Sequence, residues 1–256
     1  MLRMLYADTR AMLLSKGLRL CMGACIAYQW GYAFLMWLLL KYVLPGEGLY
    51  AEEILAVYPG IASFAVTAAT LLIFTQEYSD GIITNKLCSG AKRREIFFSL
   101  MINALQLSAV MSAAAQLSGL LAAVLFGEGF YNLTLAEMAD SFLELLIASA
   151  AVAVFSSALI MILGGKSVSY IVGLGIAFLC KLAGFEVMDK LYPTSGRCML
   201  SGTKLSLYTF YDKYIPYSHF GGTPRWDMAA ALAGCLGCIL ISLAAGLILF
   251  RKKEIR

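Results

Sequence analysis

Five stretches of the chain, Leu20 to Leu40, Ile54 to Gln76, Ile96 to Gly127, Leu145 to Gly165 and Met228 to Phe250, contain no Asp, Glu, Lys or Arg. A helix needs roughly 20 apolar residues to cross the hydrocarbon core of a bilayer, and each run is long enough to do so. A sixth run, Ser167 to Phe185, is interrupted only by Lys181 near its end, where a lysine can snorkel its ammonium to the interface. With 61% hydrophobic and 14% charged residues, the chain lacks the polar surface that a soluble domain of this size needs. The expected fold class is an all-α integral membrane protein, with six transmembrane helices in a single domain over residues 1–256.

The residues before the first run carry several charges, and no small-residue cleavage site follows a short apolar core, so the first helix is expected to remain in the mature protein. Leu2, Leu5, Tyr6, Thr9 and Leu13 recur at helical spacing, with Arg3 and Arg10 on a different face. Residues 1–17 therefore read as a helix lying in the inner membrane interface.

Cytoplasmic loops are enriched in Lys and Arg. With six spans, the N-terminus, the segment 77–95, the Gly164 to Lys166 turn and the C-terminal tail share one side. That side holds thirteen of the twenty basic residues and five of the sixteen acidic ones. Both termini are expected in the cytoplasm, and the default partners of the positive loops are anionic lipid headgroups rather than nucleic acid. On the other side, residues 186–227 form the longest loop, rich in Tyr, Gly and Pro, and short helices or turns packed over the outer mouth are expected there.

Most catalytic chemistry fails on inventory. The single histidine, His219, reads as a surface-loop residue and gives no two-histidine metal site. Cys235-x-x-Cys238 has thiol–disulfide spacing but lies within an uncharged span, where a cysteine acts as a small apolar residue packing with Gly234 and Gly237. Only Cys198 and Cys180 are placed to meet an oxidising compartment. "GGKS" at Gly164 to Ser167 is not a phosphate-binding loop, because Ile160 stands where that motif needs glycine. No catalytic, metal or cofactor-binding residues are assigned. The span cores hold amides and hydroxyls such as Gln29, Asn103, Gln106, Gln116, Ser156 and Ser157 but no charge, which argues against a proton-coupled carrier. Gln29, Asn103, Gln106 and Gln116 are the candidates to line a pathway; helix-to-helix hydrogen bonding is the competing role.

Between the second and third runs lies a polar island of mixed sign, "EYSDGIITNKLCSGAKRREI". Asp80-Gly81 reads as a turn, followed by a short helix parallel to the membrane. Ile82, Ile83 and Leu87 are available for packing, and Lys86, Lys92, Arg93 and Arg94 are expected to face solvent or a partner. Glu77 and Glu95 are placed to pair with them.

This segment resembles the one between the second and third spans of type-2 ABC transporter permeases, six-span proteins that work with a separate ATPase. The "GGKSVSYIVG" turn and the ending "GLILFRKKEIR" are similar to that family as well. The resemblance implies a coupling helix that docks into the ATPase, carried by Glu77, Gly81, Ile82, Asn85, Lys86, Leu87, Gly90, Arg93, Arg94 and Glu95. It further implies a second permease chain, identical or homologous, and an ATPase dimer holding the ATP and Mg while this chain binds no cofactor. Residence in a bacterial plasma membrane and export of a peptide, drug or lipid-like substrate follow from the same resemblance. The alternative is a non-transporting scaffold or sensor subunit whose island binds another cytoplasmic protein.

Overall fold

Caps and glycines set where the long helices begin and end. The structure, a computed structural model, describes residues 2–44, 48–131, 133–164, 167–193, 200–221 and 227–252. Among them are nine α-helices and no strand: α1 (Leu2–Leu14), α2 (Lys16–Tyr42), α3 (Ala51–Ser79), α4 (Ile82–Cys88), α5 (Arg93–Phe126), α6 (Leu135–Leu163), α7 (Ser167–Leu191), α8 (Gly202–Tyr214) and α9 (Met228–Lys252). A 3-10 turn, Pro216–His219, follows α8. Six helices, α2, α3, α5, α6, α7 and α9, are long and apolar enough to cross a bilayer, so the chain is a multi-pass, all-α membrane protein.

The most apolar windows of α3, α5 and α6 are 61%, 39% and 67% buried, against 17% for each of α2, α7 and α9. The first three therefore form the centre, and the others stand around it. Leu20, Leu35, Ile171, Leu179, Leu240 and Ile241 on the outer three are largely exposed, as a helix facing lipid requires. Small residues let the helices approach closely. A Cβ on Gly17 would fall 2.4 Å from a Leu72 methyl, and one on Gly173 2.9 Å from Leu71, which fixes α2 and α7 against α3.

Side-chain contacts define two ends. At the near end, α1, α4, the start of α5 and the end of α9 meet. At the far end, the segments leading out of α5 and into α3 are joined by Ala51 N–H to Gly129 O and Glu128 N–H to Leu49 O, both 2.9 Å. A cluster of Trp30, Trp37, Phe34 and Phe126 packs beside them, with Trp30 Nε1 donating to Ser118 Oγ at 2.8 Å.

Three expectations change. The fourth span begins at Leu135, not Leu145, because Thr134 and Glu137 form a reciprocal capping box. The span therefore carries Glu137, Asp140 and Glu144, and the reading that its core holds no charge is overturned. In α1, Asp8 and Met12 are buried against the protein, whereas Tyr6, Leu13 and Leu14 are exposed, which leaves those apolar side chains free to face lipid. Lys181, expected to snorkel, instead donates Nζ to the Phe220 carbonyl at 3.0 Å.

Cys235 is buried in α9, and a Cβ on Gly234 would fall 2.1 Å from the Tyr214 carbonyl oxygen, in keeping with a packing role; Gly237 faces open space and contributes no such contact. Gly164 ends α6 in a left-handed conformation (φ 85°) with its N–H on Ile160 O at 2.7 Å. Gly165, Lys166, Cys198 and the tail after Lys252 lie outside the described residues.

Candidate functional site

Two groups of polar side chains stand out, one at each end. The near-end group is built on the island. Gly81 takes a left-handed conformation (φ 69°) as the N-cap of α4, and Gly90 does so (φ 91°) just after it, so the chain leaves α3, forms two turns and re-enters at α5. Ile83 is buried and Leu87 half-buried against the core, fixing one face of α4. Lys86 turns inward. Its Nζ lies 2.9 Å from Asp8 Oδ1 and 3.5 Å from Glu77 Oε2, with all three side chains at most 14% exposed. Ser99 donates its hydroxyl to Asp8 Oδ2 at 2.8 Å. One ammonium thereby ties α4 to α1 and α3, and through Asp8 to α5.

Arg93 is also turned to the protein: its guanidinium donates to the carbonyls of Phe250 and Arg251, at 3.3 and 3.4 Å. These carbonyls belong to the last turn of α9, where orphan acceptors and the negative end of the helix dipole favour a cation. The expectation that Lys86 and Arg93 face solvent or a partner is therefore corrected, because Lys86 is held by the carboxylates of Asp8 and Glu77 and Arg93 by the last carbonyls of α9. Lys92 and Arg94 are exposed, and Glu95 accepts from the Lys92 N–H at 3.3 Å, capping α5 rather than pairing with a lysine or arginine side chain. Ile82, Asn85, Cys88 and Ser89 form the free face of α4, with Gly90 beside them.

Of the four pathway candidates, three are engaged in packing. Gln29 is fully buried and donates to the Ile54 carbonyl at 3.3 Å, in a space that Gly119 leaves for it. Asn103 and Gln106 face the Thr9 hydroxyl of α1 at 3.1 and 2.8 Å. One hydroxyl hydrogen serves only one of them at a time, the shorter contact being to Gln106. Gln116 lines a cavity.

That cavity belongs to the far-end group. The 3-10 turn after α8 dips back against α6, α7 and α9, held by Ser218 Oγ donating to the carbonyls of Asp212 and Ile215, and by Tyr211 O–H on the Cys180 carbonyl. Burial pushes the phenols of Tyr211 and Tyr217 well above their usual range. The dip carries His219 into the protein, where Nδ1 lies 2.7 Å from Glu144 Oε1, with the two side chains 2% and 6% exposed. His219 is not a surface-loop residue. It is buried because Glu144, about 14 Å along α6 from its start, needs a partner and the loop supplies one. Neither was foreseen. The Thr134-x-x-Glu137 spacing is the sequence signal that would have moved the start of the fourth span and exposed Glu144 as an intramembrane acid.

No group of three or more His, Cys, Asp or Glu with metal-site geometry occurs among the described residues. No protein-family profile matches the chain, and no curated protein matches it in sequence.

Proposed function

We propose that this chain is the membrane-spanning permease subunit of an ATP-binding-cassette exporter, forming a translocation pathway with a second permease chain and coupling it to a separate cytoplasmic ATPase. The observation that carries the reading is α4. A short helix placed between two central spans, clamped on one side by Ile83, Leu87 and Lys86 and bare on the other, suits a contact that transmits force rather than a loose loop. The resemblance of the island to the coupling segment of type-2 permeases supports the same reading. On this reading α4, α1 and both termini lie in the cytoplasm of a bacterium, as the excess of Lys and Arg on that side favours, with the far-end loop outside and a peptide, drug or lipid-like molecule as the exported substrate.

In this mechanism ATP closes the two ATPase subunits and draws the α4 helices of the two permeases together. Lys86 carries that motion to α1 through Asp8 and to α3 through Glu77, while Arg93 couples the start of α5 to the end of α9. Docking would fall to the outward residues Ile82, Asn85 and Arg94, and the inward residues Glu77, Lys86 and Arg93 would keep α4 in place. Gly81 and Gly90 set its ends.

The test is purification of the tagged chain from its native membranes in mild detergent, with identification and stoichiometry of what accompanies it. An ABC ATPase at near-equal stoichiometry, lost on Ile82→Asp or Arg94→Glu while the permease stays folded, is the expected result. Absence of any ATPase would overturn the reading and favour the scaffold or sensor role.

A further inference from the structure

The far-end cavity combines features that the docking of α4 does not use. It has a volume of about 260 Å³ and lies among α3, α5, α6 and the 3-10 turn. Its apolar wall includes Leu55, Pro59, Leu120 and Phe142, and its polar lining is Glu52, Gln116, Ser141, Glu144 and His219. That lining contains two carboxylates and an imidazole, and no lysine or arginine. We propose that this cavity binds a small organic ammonium ion, with the apolar body of the ligand against the α3 and α5 wall and its charged nitrogen at the Glu144–His219 pair.

Three observations converge on it. First, His219 is buried and its Nε2 has no hydrogen-bond partner among the described residues, although it belongs to a cavity-lining side chain. Buried polar atoms are almost always paired, so an unpaired one on a cavity-lining side chain leaves a place for a partner that enters. Ser141 Oγ, also on the lining, is unpaired in the same way. Second, the cavity sets that polar lining beside an apolar wall of Leu55, Pro59, Leu120 and Phe142, which suits the body of an amphipathic ligand. Third, the electrostatics select a sign. The Glu144 carboxylate, 2.7 Å from His219 Nδ1, stands in a lining that has no lysine or arginine, so it offers acceptor oxygens to a donor-rich cation. Glu52, held by the backbone N–H groups of Tyr131 and Leu133, adds a second negative charge to the rim.

An ammonium brings three N–H donors and one positive charge, which matches this set. A carboxylate or phosphate would meet like charge on two sides, and a neutral alcohol would lack the charge that strengthens a hydrogen bond to a carboxylate. The inference is independent of the partner that docks on α4.

The experiment uses the full chain in lipid nanodiscs, titrated calorimetrically with phenethylammonium, phenethyl alcohol and phenylacetate. His219 is the only histidine in the chain, so selective ¹⁵N-histidine labelling reads its Nε2 without ambiguity. The expected result is saturable binding of phenethylammonium alone, with a displaced Nε2 resonance, weakened at least about tenfold by Glu144→Gln through loss of a charge-assisted contact. Because Glu144→Gln disturbs a buried pair, Ser141→Leu serves as the second variant: it fills the cavity, leaves the pair intact and should abolish binding. Binding of the alcohol as tight as the amine, amine binding untouched by both variants, or no saturable binding with an Nε2 resonance indifferent to the amine would each overturn the proposal, the last leaving a cavity that holds water only.

Discussion

Replacing Lys86 by methionine tests whether α4 is held from inside. The substitution keeps an unbranched apolar stem of similar length and removes the ammonium that lies 2.9 Å from Asp8 and 3.5 Å from Glu77. At those distances and an effective dielectric constant of about 20, each attraction amounts to about 5 kcal/mol before desolvation is subtracted. Desolvation offsets most of it, and removal of one partner from a buried pair costs about 3–5 kcal/mol overall. The side chains here retain 9 to 14% exposure, so water reaches the abandoned carboxylates and the lower end, about 3 kcal/mol, applies. If that loss falls on local opening of α4, amide exchange over residues 82–91 should accelerate about a hundredfold while the centre of α6 exchanges as before. Hydrogen–deuterium exchange of both proteins in nanodiscs reads this directly. Combining Lys86→Met with Asp8→Asn and Glu77→Gln removes the uncompensated charges and should return most of the protection. Unchanged exchange in the single variant would refute the reasoning, because it would mean that Ile83 and Leu87 alone seat the helix.

Gly234→Ala should lower the melting temperature, since its Cβ would meet the Tyr214 backbone carbonyl at 2.1 Å, whereas Gly237→Ala, with nothing within 4 Å, should be neutral within error; equal effects would contradict the close approach of α8 and α9. Gly119→Ala should cost about 1–3 kcal/mol by forcing Gln29 off the Ile54 carbonyl, read as a shift in the denaturation midpoint. Gly81→Ala, at φ 69° in open space, should cost about 1 kcal/mol from backbone conformation alone, visible as faster exchange confined to α4. The Lys213–Asp227 contact raises the lysine pKa through its hydrogen bond to the carboxylate and lowers that of the aspartate. Its stabilisation is therefore present above the unfolded carboxylate pKa and lost as pH falls through the lowered folded value, and at the other extreme lost as pH rises through the raised lysine value. Thermal melts of wild type and Asp227→Asn should keep a constant difference across the neutral range, and a difference that varied there would contradict this assignment.

Hydropathy is a sum over neighbours in the chain, so it located six spans from composition alone, and five of the six lie within a turn or two of the helices that form them. The short helix after Asp80-Gly81 was legible for a similar reason, because a left-handed glycine and an i, i+1, i+5 apolar set are local signals. Treating charge as a boundary misled at α6, whose first three turns contain Glu137 in a capping box, exposed Asp140, and Glu144 beside a distant histidine.

What tertiary structure alone decided is which polar groups meet. Asp8 finds Lys86 across 78 residues, Arg93 finds the end of α9, and Glu144 finds His219 across 75. No window on the sequence carries those pairings, because in an apolar solvent a polar side chain is placed by whichever distant donor or acceptor can satisfy it rather than by its own neighbours. The sequence determined how many times this chain can cross a membrane. Its packing decided which of its few charges face outward and which lie inside, holding the helices together.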